Sequence, residues 1–203
     1  VTGTGLFGLD ITGRNIVFLL DVSGSMLATD PPSEEQMERL RRSTGVEDSF
    51  EEKVQLLMEG RRRIKRARRE ITRAIESLGD DKNFSLISFS STVQPWSDIL
   101  LPATKENRTS AVRFVAGIKA QGITITDIAL LEALSDPTVD TVYLITDGAP
   151  THIGSQGNQM PPDSAQLMKQ IIEDTRARNH LRGVRIFTLG FIGAEEEFLD
   201  KLA

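Results

Sequence analysis

The sequence predicts an α/β fold, a doubly wound and mostly parallel sheet with helices on both faces, on three observations. Strand-length runs lie close to residues 15–21, 84–90, 140–147 and 184–191, and the first is continuously apolar, as a strand covered on both faces is. Segments with helical periodicity separate them, which is the alternation that builds parallel sheets. Two of the runs stop on an acid, Asp21 and Asp147, each followed at once by a glycine-containing turn.

The chain has 203 residues, 39% of them hydrophobic and 26% charged, which fits one α/β domain over 1–203 and leaves little room for a second. A net charge of −5 argues against a general nucleic-acid binder. Cysteine is absent, so disulfides, thiolate metal sites and a cysteine nucleophile are excluded together. No apolar stretch approaches the ~20 residues that a membrane helix needs, so no direct membrane insertion is expected. Valine rather than methionine opens the chain, which reads as an excised fragment of a larger protein.

Each element has its own signal. Residues 1–14 are glycine-rich around a short apolar centre and read as a lead-in strand or hairpin. The run at 15–21 is the first strand. A polar segment over 27–60 follows, with a helix start at Pro32-Ser33 and a break at Thr44-Gly45, inserted between the first strand and the first long helix. Across 53–78 the pattern is helical, with Ile64, Ala67, Ile71, Ile75 and Leu78 forming one apolar stripe. The strand at 84–90 is followed by 93–103, whose Pro95 and Pro102 suit a short antiparallel edge strand. Helices are predicted over 109–120 and 126–134, a strand at 140–147, a helix at 164–179, a strand at 184–191 and a last helix at the chain's end.

The polar ends of these strands carry the chemistry. In a doubly wound sheet, ligands bind beyond the carboxyl ends of the strands, where the strand order reverses. There the sequence "DVSGS" puts Asp21 beside Ser23 and Ser25, two residues apart and so pointing the same way in an extended loop. Gly24 between them permits a tight turn. The turn "GITIT" adds Thr124 and Thr126 ahead of a helix, and "TDG" adds Asp147. Oxygen donors without histidine or cysteine select a hard divalent cation.

These residues resemble, in order and spacing, the metal-ion-dependent adhesion site of von Willebrand factor type A (vWA) domains, and the resemblance runs from about Asn15 to the chain end. It implies a Rossmann-like fold and a metal site made of Asp21, Ser23, Ser25, Thr124 and Asp147, with no catalytic residues. The metal implied is Mg²⁺, with Mn²⁺ or Ca²⁺ as alternatives. In such sites the serines bind the ion directly, the threonine and second aspartate alternate between direct and water-mediated contact, and the first aspartate acts through water. Aligning "ALL" at 129–131 with the family's helix makes Thr124 the ligand rather than Thr126. The likeness is to bacterial members, often parts of larger envelope-linked proteins. The family normally adds one more edge strand after the last helix, which would leave 184–191 with an open edge here.

A divalent cation held mainly by neutral hydroxyls keeps unbalanced positive charge and attracts an outside carboxylate. The expected function is therefore a metal-dependent adhesion or assembly module whose partner protein supplies a Glu or Asp. The enzymatic alternative is a haloacid-dehalogenase-like phosphohydrolase, but the second acid of that pattern is Ser23 here, so its general acid/base is missing. Phosphate loops, nucleophile elbows and histidine triads are also absent from the sequence. A plain scaffold with a vestigial site is the third reading.

Other features have plainer readings. The run "RRRIKRARR" at 61–69 is expected to be a solvated helix face, with acids nearby. Trp96 and Met26 are assigned to packing, and His152 and His180 to the surface. With no basic residue in the motifs themselves, Asp147 and Asp21 are expected to face each other and repel when metal is absent.

Overall fold

The computed structural model describes residues 5–43, 49–151 and 163–203. The break at Thr44-Gly45 and His152 lie outside the described residues. In chain order the elements are β1 (Asn15–Asp21), a 3-10 turn (Gly24–Leu27), α1 (Glu34–Ser43), α2 (Phe50–Gly60), α3 (Arg63–Glu76) and β2 (Asn83–Phe89). Then come β3 (Val93–Pro95), β4 (Leu101–Pro102), α4 (Lys105–Gly117), α5 (Thr126–Ala133), β5 (Thr141–Thr146), α6 (Ser164–Asn179), β6 (Arg185–Gly190) and α7 (Glu196–Leu202).

The sheet order is β3-β2-β1-β5-β6, with β4 also paired to β2. The pairs β1–β2, β1–β5 and β5–β6 are parallel, and the short β3 and β4 pair antiparallel with β2. This is the doubly wound architecture that the sequence predicts, with the two prolines on the antiparallel edge. After β1 the chain turns to one side of the sheet, and β5 later enters on the other. The order therefore reverses between β1 and β5, whose carboxyl ends carry Asp21 and Asp147.

Alternate residues of β1 feed opposite cores. Ile16, Phe18 and Leu20 pack with Ile64, Ala67, Ile71 and Ile75 of α3 and Val115 of α4. Val17 and Leu19 face Leu130 of α5, Ile171 of α6 and Phe198 of α7. The predicted stripe on α3 is buried throughout, Met26 is fully enclosed, and Trp96 stacks on Phe84 with ring centroids 5.1 Å apart. Near the N-terminus Leu6 and Leu9 form a single antiparallel bridge around a turn.

One boundary differs in kind. The helical pattern across 53–78 is two helices, not one: Arg61 and Arg62 interrupt it, and Arg62 is extended (φ −54°, ψ 131°). The cause is tertiary. Thr29 and Arg62 form an antiparallel bridge, Arg63 N donates to Ala28 O (3.0 Å), and Arg61 Nε donates to Asp30 O (2.9 Å). These bonds pin together the two ends of the inserted segment, and α1 and α2 contribute no fully buried residue to the core. Among the described residues, no helix is long and apolar enough to cross a membrane.

Candidate metal centre

The site begins where β1 runs out. Asp21 is completely buried, and its two oxygens are used by the chain itself: Oδ1 accepts the Ser23 amide (2.8 Å) and Oδ2 accepts the Thr146 hydroxyl (2.6 Å). Burial pushes the Asp21 carboxyl above the usual range, the two hydrogen bonds oppose that, and the charge of Asp147 adds a smaller upward push. The amide bond to Asp21 folds the loop so that Ser23 and Ser25 lie side by side, with their hydroxyls 2.9 Å apart. Ser25 donates in turn to Asp147 Oδ1 at 2.7 Å. Two hydroxyls and a carboxylate thus form a row across the mouth between β1 and β5, with Asp21 behind it.

Thr124 joins through its loop. Gly24 N donates to Gly122 O at 2.9 Å, which fastens the 122–126 turn beside the serine loop. Gly122 has φ +80°, and a Cβ there would overlap Ser91 Oγ, so only glycine makes this approach. Thr124 is 4% exposed, with its amide bonded to Thr151 Oγ1 and its carbonyl to Thr151 N. Among the described residues no hydrogen bond links the Thr124 hydroxyl to the other four predicted site residues. Thr126, the alternative, is fully buried in the first turn of α5, and its hydroxyl has no partner among the described residues.

The site holds a residue that the sequence reading assigns to the solvent. Arg63, at the start of α3, donates from Nη1 to Asp147 Oδ2 at 2.8 Å and from Nε to Asp30 Oδ1 at 2.9 Å. Asp30 is 1% exposed and takes Arg66 Nη1 on its other oxygen. Burial alone would lower the Arg63 pKa, but its bonds to Asp147 and Asp30 raise it overall, so the guanidinium stays charged. The solvated-face reading therefore holds for Lys65 and Arg69 and fails for Arg63 and Arg66. The expected repulsion between two unaccompanied carboxylates is corrected as well, because Asp147 has a guanidinium partner. The available sign was Asp30 in the insertion, one buried acid placed to fix arginines three apart on a helix.

Among the described residues no three His, Cys, Asp or Glu side chains gather into a metal-binding group. The donors here are instead two carboxylates and neutral hydroxyls, all hard oxygens of the kind that bind Mg²⁺, Mn²⁺ or Ca²⁺.

Comparison with known proteins bears on the same residues' setting. No family model matches the chain. The chain is similar to inter-alpha-trypsin inhibitor heavy chain H4 of Homo sapiens, 29% identical across 97% of this chain, and of Bos taurus, 26% identical across 94%. It spans less than a fifth of those relatives, 18% and 17% respectively. Among solved structures, the von Willebrand factor type A protein from Catenulispora acidiphila shares its fold with a TM-score of 0.60 and 19% identity, over 96% of this chain and 37% of that one. The manganese-loaded Plasmodium vivax TRAP protein matches with a TM-score of 0.55 and 16% identity, over 94% and 62%. The fold is that of the von Willebrand factor type A structure.

Proposed function

We propose that this chain is a metal-dependent protein-binding module, not an enzyme. Asp21, Ser23, Ser25, Thr124 and Asp147 hold a divalent cation, Mg²⁺ with Mn²⁺ or Ca²⁺ as alternatives, and the cation bridges to a Glu or Asp of a partner protein. The observation that carries this reading is the row from Ser23 through Ser25 to Asp147 at the reversal of strand order. Its polar atoms converge on one mouth, and among the described residues no histidine is bonded to them, which suits holding an ion better than turning over a substrate. The manganese in the TRAP neighbour adds support for a divalent cation on this fold. A cation bound here would bring positive charge that the neutral hydroxyls leave uncancelled, and that excess is what an acidic side chain would meet.

The chain acts as one domain in this reading, and the 27–60 segment stands beside the partner-binding face because both its ends are pinned at Asp30 and Arg61. A deletion that spares Asp30 and Arg61 should change partner affinity more than metal affinity. Calorimetry with Mg²⁺, Mn²⁺ and Ca²⁺, paired with melting curves in metal and in chelator, tests the core claim. Binding in the low-millimolar range or tighter is expected, with a metal-dependent rise in melting temperature that Ser23→Ala weakens. No binding of any of the three, and a melting temperature indifferent to all, overturns it. A pull-down with and without chelator then names the partner, and a phosphatase assay on generic substrates checks the enzymatic alternative.

A further inference from the structure

Arg63 is held as firmly as the predicted ligands. Its three nitrogens each have an acceptor: Nε gives to Asp30 Oδ1 (2.9 Å), Nη1 to Asp147 Oδ2 (2.8 Å) and Nη2 to the carbonyl of Ile192 (2.7 Å). Only 17% of the side chain is exposed, and the side chains of both carboxylate partners are fully buried. Behind it, Asp30 is shared with Arg66, whose guanidinium carbon lies 5.4 Å from the centre of the Phe191 ring. The planar fork of arginine suits three acceptors in different directions, which a lysine ammonium on a flexible stem does not reproduce.

The consequence falls on Asp147. One of its oxygens takes Ser25 and the other takes Arg63, so its charge is already met without any ion. We infer that Arg63 is a tethered cation that holds Asp147 in the metal-free protein and competes with the divalent ion for it, so that this arginine sets the metal affinity of the site. The inference rests on the metal reading above. A divalent ion drawing on Asp147 meets a fixed positive charge on the same carboxylate, and like charges at short range in a partly buried site repel strongly.

The test compares wild type, Arg63→Gln and Arg63→Lys by calorimetric titration with Mg²⁺ and by melting in chelator. Arg63→Gln should lower the metal-free melting temperature and tighten Mg²⁺ binding by roughly tenfold, because the competing charge is gone. Arg63→Lys, which keeps a charge but not the three-way grip, should fall between the two. A merely structural arginine would lower the melting temperature and leave the Mg²⁺ constant unchanged. That result, or weaker binding in Arg63→Gln, overturns the inference while the metal reading stands. Should Arg63→Gln not fold without metal, the same comparison is made with Arg63→Lys, where equal affinity is the refuting result. Absence of Mg²⁺ binding in wild type and variants alike removes the metal reading and this inference together.

Discussion

Replacing Asp147 by Asn separates two opposite accounts of the metal-free site. If Asp147 and Asp21 simply repel, the substitution relieves them and the protein becomes more stable. The geometry says otherwise. Asp147 has a fully buried side chain and a charge-assisted bond to Arg63 at 2.8 Å, while its effect on Asp21 is the weakest of the influences on that carboxyl. Removing one partner of a buried ion pair costs about 3–5 kcal/mol when the other is left alone. Arg63 keeps Asp30 and the Ile192 carbonyl, and Asn keeps an acceptor for one neighbour, so the expected loss is nearer 2–3 kcal/mol. For a chain of this size that is a fall of roughly 4–12 °C in melting temperature. Differential scanning calorimetry in chelator reads it directly, and the double variant with Arg63→Gln supplies the control. The two substitutions should be non-additive by about 1–3 kcal/mol, as contacting residues are. A metal-free melting temperature that is unchanged or raised in Asp147→Asn, or strict additivity in the cycle, would refute the pairing.

Three further outcomes follow from other residues. Gly122→Ala forces a side chain into a positive-φ position against Ser91, so urea unfolding should show a loss of at least about 1–3 kcal/mol. Thr126→Val removes a buried hydroxyl with no partner among the described residues while keeping its shape, so stability should be unchanged or higher by about 1 kcal/mol; a clear loss would show that the hydroxyl is bonded in solution. Asp140 tends to be raised by burial, but bonds from the Thr141 hydroxyl and the Asn15 and Arg14 amides bring it below the usual carboxylate range. Its contribution is therefore present above its unfolded pKa and lost as pH falls through the lower folded one, so Asp140→Asn should destabilise at neutral pH and the gap to wild type should close in acid.

Much of this fold was legible because the informative signals are local. Asn15–Asp21 and Thr141–Thr146 read as buried parallel strands from apolar continuity alone, and the helix Ser164–Asn179 from its period. The convergence of Asp21, Ser23, Ser25 and Asp147 was legible for a similar reason, since strand ends at a reversal of order must meet. What local pattern missed was set by contacts distant in sequence. The helix across 53–78 is interrupted at Arg62 because Thr29 pairs with it, and nothing in the helical period of that stretch reports a strand partner thirty-odd residues earlier. Arg63 was missed with it. A basic run beside many acids reads as solvated, and only a buried Asp30 distinguishes the arginines that turn inward.

That oversight changes how the site's charge is counted. Taken from the motifs alone, the mouth carries two carboxylates and needs a cation to be stable. With Asp30, Arg63 and Arg66 included, three carboxylates meet two guanidiniums and one net negative charge remains. On the proposed reading, a divalent cation bound there would turn the mouth from mildly acidic to mildly basic, a change of sign and not a mere neutralisation. On that reading, an acidic partner would be disfavoured before the ion arrives and favoured after it, so the two binding events would be coupled by electrostatics at one place. The arginines would sharpen that coupling by meeting the charges of Asp147 and Asp30 without the ion, so that metal would act on binding more than on holding the chain together. Charge reversal at Arg66, which touches Asp30 and not Asp147, tests this at a distance. Arg66→Glu should leave Arg63 as the sole partner of Asp30, pull the guanidinium toward it, and weaken its hold on Asp147. Mg²⁺ affinity, read by titration, should then rise even though no atom of the predicted ligand set has been altered; an affinity that falls or stays level would show that Arg63 does not act through Asp30.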